Sequence, residues 1–469
     1  MDLTLSLNNA LSGLQAAQAN LNVISSNIAN SQTPGYSRET VPILSQVVGG
    51  SSAGVTTGLI QRQIDRNLSE AAREQDTATS AATTADTYFQ QIQNLFGQVN
   101  SSNSLGAVLG NFASALQGLA TTPEDPIAQQ NAVSTGQSLA QKLNSMSSGI
   151  QQLRAGVDAD LATSVSAVNT ALQSIANCNN AITHAQAIGQ STASFEDQRD
   201  QALDQVAQLM GVSDFLRPDG TMVVLTTTGK VLVDSSAAQL SYTEAGTVTA
   251  TTPMSPVGLN GTDLTGEITG GKIGALLNLR DQQLPNLTAE LNQFTNNLFS
   301  ATSNANLGTT NSGLGATNDA NHFFAAVDLT NGVDNAATIQ VNPDLVASPG
   351  LLDGPSANPD SSIAQGLADG LSAPLTFAAA GNFAASTTTT LNNYAAQMVG
   401  QAANAAATAS DNAKFQTSLQ TSVNARASGV SGVNVDEELA NLTVYQNMYA
   451  ASAHVLTVVQ NMLDTLLQM

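Results

Sequence analysis

Apolar residues near the N-terminus recur in alternating three- and four-residue steps: Leu7, Ala10, Leu14, Ala17, Leu21, Ile24 and Ile28. That spacing holds one helix face in register with a partner helix, the seam of a coiled coil. The helix must stop before Pro34, which pushes Thr33 out of helical geometry, and Pro34-Gly35 suits the centre of a type II turn. The C-terminal segment mirrors this. Asn434 with Glu437 predicts a capping box, and Asp436, Glu437 and Glu438 complement a positive helix N-terminus. Beyond them Tyr445, Met448, Ser452, Val455, Val459, Met462 and Leu466 form one seam. Leu439, Leu442, Tyr449, Ala453, Leu456, Leu463 and Leu467 form an adjacent stripe. Two neighbouring stripes predict burial against more than one partner helix.

Helical periodicity continues between the ends. One seam runs from Ile64 to Val99 and another from Leu139 to Ile182. If continuous over 126–187, the second helix would be ~90 Å long at the usual rise per residue. Periodicity of that length predicts an elongated coiled coil rather than a compact globule. Further helices are expected at 272–302 and 387–426. Strand signals cluster centrally, where Met222–Leu225 and Lys230–Val233 flank a Thr-rich, Gly-containing turn that predicts a hairpin. Residues 303–386 carry Gly, Pro, Asn and Asp between short apolar runs such as Ala337–Val341, a pattern of loops with some strand.

The predicted fold class is mainly α with smaller β-rich insertions, an elongated multi-domain coiled-coil rod formed by paired N- and C-terminal segments. Residues 1–40 and 430–469 would pair as terminal helices. Residues 41–211, 271–302 and 385–429 would form a long-helix coiled-coil domain, 212–270 a small β domain, and 303–384 a loop-rich outer region.

Charge changes this picture in one respect. The 469-residue chain carries 13 Lys and Arg against 35 Asp and Glu, a net charge of -22. Such a polyanion repels phosphate backbones and anionic lipid, so nucleic acid and membrane surfaces are poor partners. Yet only 10% of residues are charged, and none lies between Leu3 and Ser37 or, with His454 neutral, between Leu439 and Leu463. A solvent-facing coiled coil normally carries Glu and Lys beside its seam. Asn, Gln, Ser and Thr replace them here, giving either an amide-rich surface or helices that pack into a polymer. The second reading is favoured, because amides and hydroxyls can be buried without the cost of burying charge.

No constellation points to catalysis, a cofactor or a metal. His184, His322 and His454 are isolated, and Asp353, Asp360 and Asp369 lack the spacing of a calcium loop. Cys178 is the single cysteine, so no intrachain disulfide forms, and it reads as a small core residue. Asp197, Arg199 and Asp200 form a polar cluster suited to a local ion pair or interdomain contact. No apolar run is long enough to insert in a membrane, and Asp2 with polar interruptions is unlike a cleaved signal peptide.

The segment from Ser26 to Arg38, SNIANSQTPGYSR, closely resembles the signature of the bacterial flagellar rod, hook and hook-associated family. The stretch from Ser431 to Leu442, SGVNVDEELANL, resembles the C-terminal signature of its hook-associated members, as does Met462–Leu467. Asp197–Asp200 and Gly274–Asp281 are similar to interior segments of the same members. The resemblance covers roughly residues 1–300 and 385–469.

It implies a non-enzymatic structural subunit that polymerises at the distal end of the hook and joins hook to filament. It also implies unfolded export through the flagellar type III apparatus without a cleaved signal, and an extracellular location. The implied partners are further copies of the chain, the hook protein, a second hook-associated junction protein and an export chaperone. Within the signature, Asn27 and Asn30 would satisfy backbone groups at the helix end and Ile28 would close the seam. Pro34 and Gly35 would set the turn, and Tyr36 and Arg38 would pack where the chain leaves the inner layer. These residues serve the subunit's own bend, contacts in a polymer, or both. The alternatives are another axial subunit of hook or rod type, a secreted coiled-coil effector or adhesin, and an enzyme hidden in 303–386. Helices built for a polymer lack their partners in an isolated subunit, so fast amide exchange is expected at both ends of a purified monomer. Strong protection throughout both termini of a proven monomer would contradict it.

Overall fold

The computed structural model describes residues 3–48, 51–97, 101–307, 321–329, 333–353, 360–383 and 385–468. Its ends come together. Helix α1 (Leu3–Asn30) packs antiparallel on the last helix, with Gly13 beside Ser452 and Asn27 bonded to Glu438. After α1 the chain forms β1 (Glu39–Thr40), β2 (Ile43–Val48), β3 (Ser51–Thr57) and β4 (Gln61–Arg62). β1 pairs with β4, and β2 with β3 as an antiparallel hairpin that lies on α1. The helical domain was expected from residue 41; instead the four short strands β1–β4 come first. Periods of two over segments this short are masked by Pro42, the Gly pair and Ser-rich turns.

The helical body begins with α2 (Arg66–Phe96), capped by Asp65 accepting from the Asn67 and Leu68 amides, and α3 (Leu105–Thr121). The central helix α4 (Pro126–Ala187) is continuous for 62 residues. Asp125 caps it and Pro126 occupies its first turn, where a missing N–H costs nothing. α5 (Ala193–Leu209) folds back along α4. An antiparallel meander follows, β5 (Val212–Leu216), β6 (Met222–Thr226) and β7 (Val231–Val233), then short strands β8 (Leu240–Ser241), β9 (Gly258–Leu259) and β10 (Thr262–Asp263).

The helix expected at 272–302 is interrupted. α6 (Gly271–Asn278) and α7 (Leu284–Ala301) are joined by one π turn, Leu279–Gln283. That extra residue turns Arg280 inward. Arg280, only 2% exposed, bonds Asp281, the Tyr242 hydroxyl and the Ser255 carbonyl. Tyr242 in turn bonds Asp158 on α4, which also accepts the Ala245 amide at 2.7 Å. Arg154, one turn earlier on α4, donates to the Arg280, Thr249, Ala250 and Thr252 carbonyls. This network fastens the 212–270 segment to the long helix.

Residues 303–384 are less loop-like than their composition suggests, although 308–320, 330–332, 354–359 and 384 lie outside the described residues. β11 (Phe324–Ala325) pairs with β12 (Gln340–Val341), so the expected strand at 337–341 is half taken by α8 (Asn335–Thr338). α9 (Pro343–Ala347), a 3-10 turn and α10 (Ser362–Ser372) follow, then the hairpin of β13 (Leu375–Phe377) and β14 (Thr387–Thr389). These elements join the body's core: Phe323 and Phe324 pack against Phe112 of α3, and Ile363 and Leu367 of α10 are fully buried. α11 (Leu391–Ser431) runs antiparallel to α2, with Gln416 facing Gln75 and Ala402 near Ile92. After Gly432 the chain enters α12 (Val435–Leu467). Cys178 is buried among α4 core residues, as expected for a small apolar side chain.

Replacing Arg280 by Met would keep most of the volume and strand Asp158, Tyr242 and Asp281. Breaking one partner of a buried ionic network costs about 3–5 kcal/mol, so urea unfolding should show a loss of that order. A loss under ~1 kcal/mol would mean that the network contributes little.

Candidate assembly interface

The terminal module comprises α1, α12 and strands β1–β4, and its polar core is built around Asn27. This residue is 1% exposed. Its carboxamide accepts the Glu39 amide at 3.0 Å and the Tyr36 hydroxyl at 2.9 Å, and donates to the Glu39 carbonyl at 2.9 Å. The same NH2 group reaches Glu438 of α12 at 3.2 Å. Asn27 was expected to satisfy its own helix end. It instead acts as a strand partner for Glu39, because the tight turn brings the chain back beside the last turn of α1.

That turn runs from Thr33 to Tyr36, closed by the Tyr36 amide on the Thr33 carbonyl at 3.2 Å, with Gly35 at φ 75°. A side chain at Gly35 would be strained by that φ and would collide with Gln201. Asn30 does cap its own helix, donating to the Ser26 carbonyl at 3.0 Å. Burial is the main cause that pushes the Tyr36 hydroxyl up to about 12, so it stays a donor to Asn27.

Arg38 ties the two ends together. It donates to Glu438 at 2.7 Å and Glu437 at 2.8 Å, and its amide bonds the Ser431 carbonyl at 2.8 Å. Burial opposes its charge, but the two glutamates outweigh that effect and hold the guanidinium protonated. Only half of the expected capping box forms. Asn434 accepts the Asp436 and Glu437 amides, while the Glu437 carboxylate is drawn to Arg38.

A second ionic cluster joins this module to the helical body. Arg62, 4% exposed at its side chain, bonds Glu196 at 2.9 Å, Asp197 at 2.7 Å and Asp200 at 2.8 Å, all on α5. The Ser37 amide donates to Asp197 at 3.2 Å, and Gln201 donates to the Pro34 carbonyl at 3.1 Å. Burial opposes the Arg62 charge, yet Asp200 and Asp197 override it and raise its pKa. Arg199 points the other way, donating to Asn179 of α4 at 3.3 Å and to the Gly220 carbonyl at 2.7 Å. The Asp197–Asp200 cluster is thus a two-sided joint, one face on the terminal module and one on the body. Arg62 and Glu196 were missed by sequence reasoning, and Glu438 was assigned to its helix N-terminus without its partners Asn27 and Arg38. The available signal for Arg62 was its isolation as a charged residue after an uncharged stretch from Thr40 to Gln61.

The apolar stripes divide unequally. On α1, Ala10, Ala17 and Ile24 are buried, and Leu7, Leu14, Leu21 and Ile28 are half-buried. Ala16, Asn20 and Val23 are also buried, off the expected seam. The hairpin flanks α1 on a second side, where Ser12 accepts the Val55 amide at 3.2 Å. On α12, Leu442, Tyr445, Met448, Ser452, Ala453, Leu456 and Val459 are buried or half-buried. Leu439, Val444, Tyr449, Val455, Val458, Met462 and Leu463 are exposed. The side chains of Leu466 and Leu467 lie outside the described residues. Neither expected seam is covered as a whole: each contributes residues to the face against α1, and each leaves others, Val455 and Met462 of the first and Leu439, Tyr449 and Leu463 of the second, exposed within the subunit.

Three family models match the chain. One, described as the flagellar hook-associated protein FlgK helical domain, covers residues 89–323, half of the chain. The chain belongs to the flagellar hook-associated protein family. A flagella basal body rod protein model matches residues 7–36, and a flagellar basal body rod FlgEFG protein C-terminal model matches 427–469. These two short matches coincide with α1 and its turn, and with the end of α11 plus α12.

Relatives named flagellar hook-associated protein 1 include that of Salmonella typhimurium strain LT2, 29% identical over 303 residues, spanning 61% of this chain and 54% of the relative. That of Escherichia coli strain K12 is 29% identical over 301 residues, 61% of this chain and 54% of the relative. That of Bacillus subtilis strain 168 is 25% identical over 240 residues, 49% and 47% respectively. The chain thus spans about half the length of the curated relatives it matches. A solved structure, that of the flagellar hook junction protein FlgK from Burkholderia pseudomallei, is similar with 26% identity and a TM-score of 0.46, covering 55% of this chain and 46% of that one.

Arg62→Ala would leave three carboxylates of α5 facing one another. Two of them are over a quarter exposed, so the cost is discounted from the fully buried value to about 2–4 kcal/mol. Faster proteolysis between residues 31 and 65, with the helical body still intact, is the expected readout. An unchanged cleavage pattern would show that the joint does not depend on Arg62.

Proposed function

We propose that this protein is a structural, non-enzymatic subunit of the bacterial flagellum that polymerises at the distal end of the hook and joins hook to filament. The observation that carries the reading is the uncovered, uncharged stripe of α12 from Leu439 to Leu463, held at the chain's paired ends. Covering such a stripe removes apolar surface from water without desolvating a charge. A second copy presenting the same module, and the hook protein below it, are the surfaces that fit. The helical body would then stand outside the ring of paired ends, with the segments at 212–270 and 303–384 facing outward.

The same logic bears on the route of assembly. An α12 with two apolar stripes needs covering before its partners are present, which suits an export chaperone in the cytoplasm and passage through the type III apparatus without a cleaved signal. A second hook-associated junction protein would seat on the distal side. The marginal pairing of α1 and α12, in which many seam residues remain half-exposed, suits a module that is completed only on assembly.

Deleting residues 435–469 is expected to give motility-deficient cells that build hooks but release filament protein into the medium. Labelled full-length protein should appear at the hook–filament boundary in electron micrographs. Normal filaments on the deletion strain would sink the junction reading.

A further inference from the structure

Glu290 is the one glutamate of α7 and is fully buried. One carboxyl oxygen accepts the Asn382 amide at 2.6 Å, while the other has no hydrogen-bond partner among the described residues. Facing it from α11 is Tyr394, also fully buried, with an unpartnered hydroxyl. The Tyr394 ring is stacked on Phe377 at 4.0 Å and lies 4.9 Å from Phe383. Phe377 ends β13, and Phe383 forms a bridge with Ala380 across the turn that contains Asn382. Gly381 has φ 58°, and a Cβ there would lie 2.7 Å from the Glu290 carboxyl. The turn therefore sits directly on the carboxyl group. Beside it, Asn382, Leu287 and Gln401 line a cleft of about 270 Å³.

A carboxyl group with a single N–H donor against aromatic walls is tolerable when neutral and costly when ionised. We propose that Glu290 is a protonation-dependent latch that holds the 375–389 hairpin onto α7 and α11 and loosens that hairpin when the carboxyl ionises. Among the described residues, no opposite charge figures among the causes that act on Glu290. The hairpin and α8 carry no ionisable side chain. α10 offers Asp369, the π turn Arg280 and Asp281, and α4 Lys142, Arg154, Asp158 and Asp160. Burial leads the causes that act on Glu290, opposed by hydrogen bonds from Asn382, and the Glu290 charge in turn helps to raise the Tyr394 hydroxyl.

Burial pushes Glu290 up to about 7 from an ordinary 4.5. The sign follows from linkage. Below about 4.5 the group is neutral whether the hairpin is closed or open. Between 4.5 and 7 only the open form ionises, so closure weakens as pH rises, and above 7 the effect is complete.

Hydrogen exchange of the 378–390 segment in the full-length protein tests this, with rates corrected for intrinsic base catalysis. Protection should fall by up to about tenfold per pH unit from 5 to 7 and level off above 7. Glu290→Gln keeps an acceptor for the Asn382 amide and should remove the slope, whereas Tyr394→Phe should retain it. Flat protection in the unaltered protein, or an equal slope in Glu290→Gln, would overturn the latch. Carbon-13 titration of the glutamate carboxyl groups in the unaltered chain gives a measurement that needs no variant to fold. One midpoint near 7 supports the proposal, and all midpoints below about 5.5 defeat it.

Discussion

The structure depends on burying the apolar stripe of one very long helix. α4 presents Leu139, Leu143, Met146, Ile150, Val157, Leu161, Val168, Leu172 and Ile175, all fully buried, along 62 residues. A helix of that length cannot bury its stripe against itself, and an exposed stripe would favour aggregation. α3, α5, α6, α7 and α8 are therefore laid along it in turn, and the small sheets are carried where helices leave gaps. An elongated body follows directly from this requirement.

The terminal module is attached on different terms. Where the body is joined by aliphatic contact, the module meets α5 through Arg62, the Ser37 amide and Gln201. Charge-assisted hydrogen bonds fix direction well but bury little apolar surface. The joint thus sets the angle between module and body while leaving the apolar surface of α12 for other contacts. Arg38 and Asn27 complete the arrangement by binding the start of the chain to Glu437 and Glu438 of α12, and the Arg38 amide also bonds Ser431 at the end of α11.

Two buried ionisable sites show how compensation decides the outcome. Arg280 has Asp281, Tyr242 and a carbonyl within bonding distance, and its charge is retained although burial opposes it. Glu290 has one amide, and burial drives it toward the neutral form. Arg280 lies in the π turn and Glu290 about three helical turns further on, in α7. The difference is the number of donors and acceptors delivered by neighbouring segments, not depth of burial.

Much of the fold was legible in the chain because helical periodicity is a local property. The periodicity of α1 and α12, the bounds of α4, the Pro34-Gly35 turn and the flagellar signature at Ser26–Arg38 are each written in residues that adjoin one another along the chain. The same locality explains the failures. Strands β1–β4 were missed because each is short and gains stability only from α1 or a partner strand. Asn27 was assigned to its helix end because nothing in its neighbourhood reveals Glu39 or Glu438 beside it. Arg62 could not be matched to α5, more than a hundred residues away. How the α12 stripes divide was likewise beyond sequence, since the face laid against α1 takes residues from both of them. The chain by itself determined where helices form and that its ends would carry apolar, uncharged faces. Only the tertiary structure decided which face is used within the subunit, because that choice rests on polar partners from distant segments that fix the angle at which the helices meet.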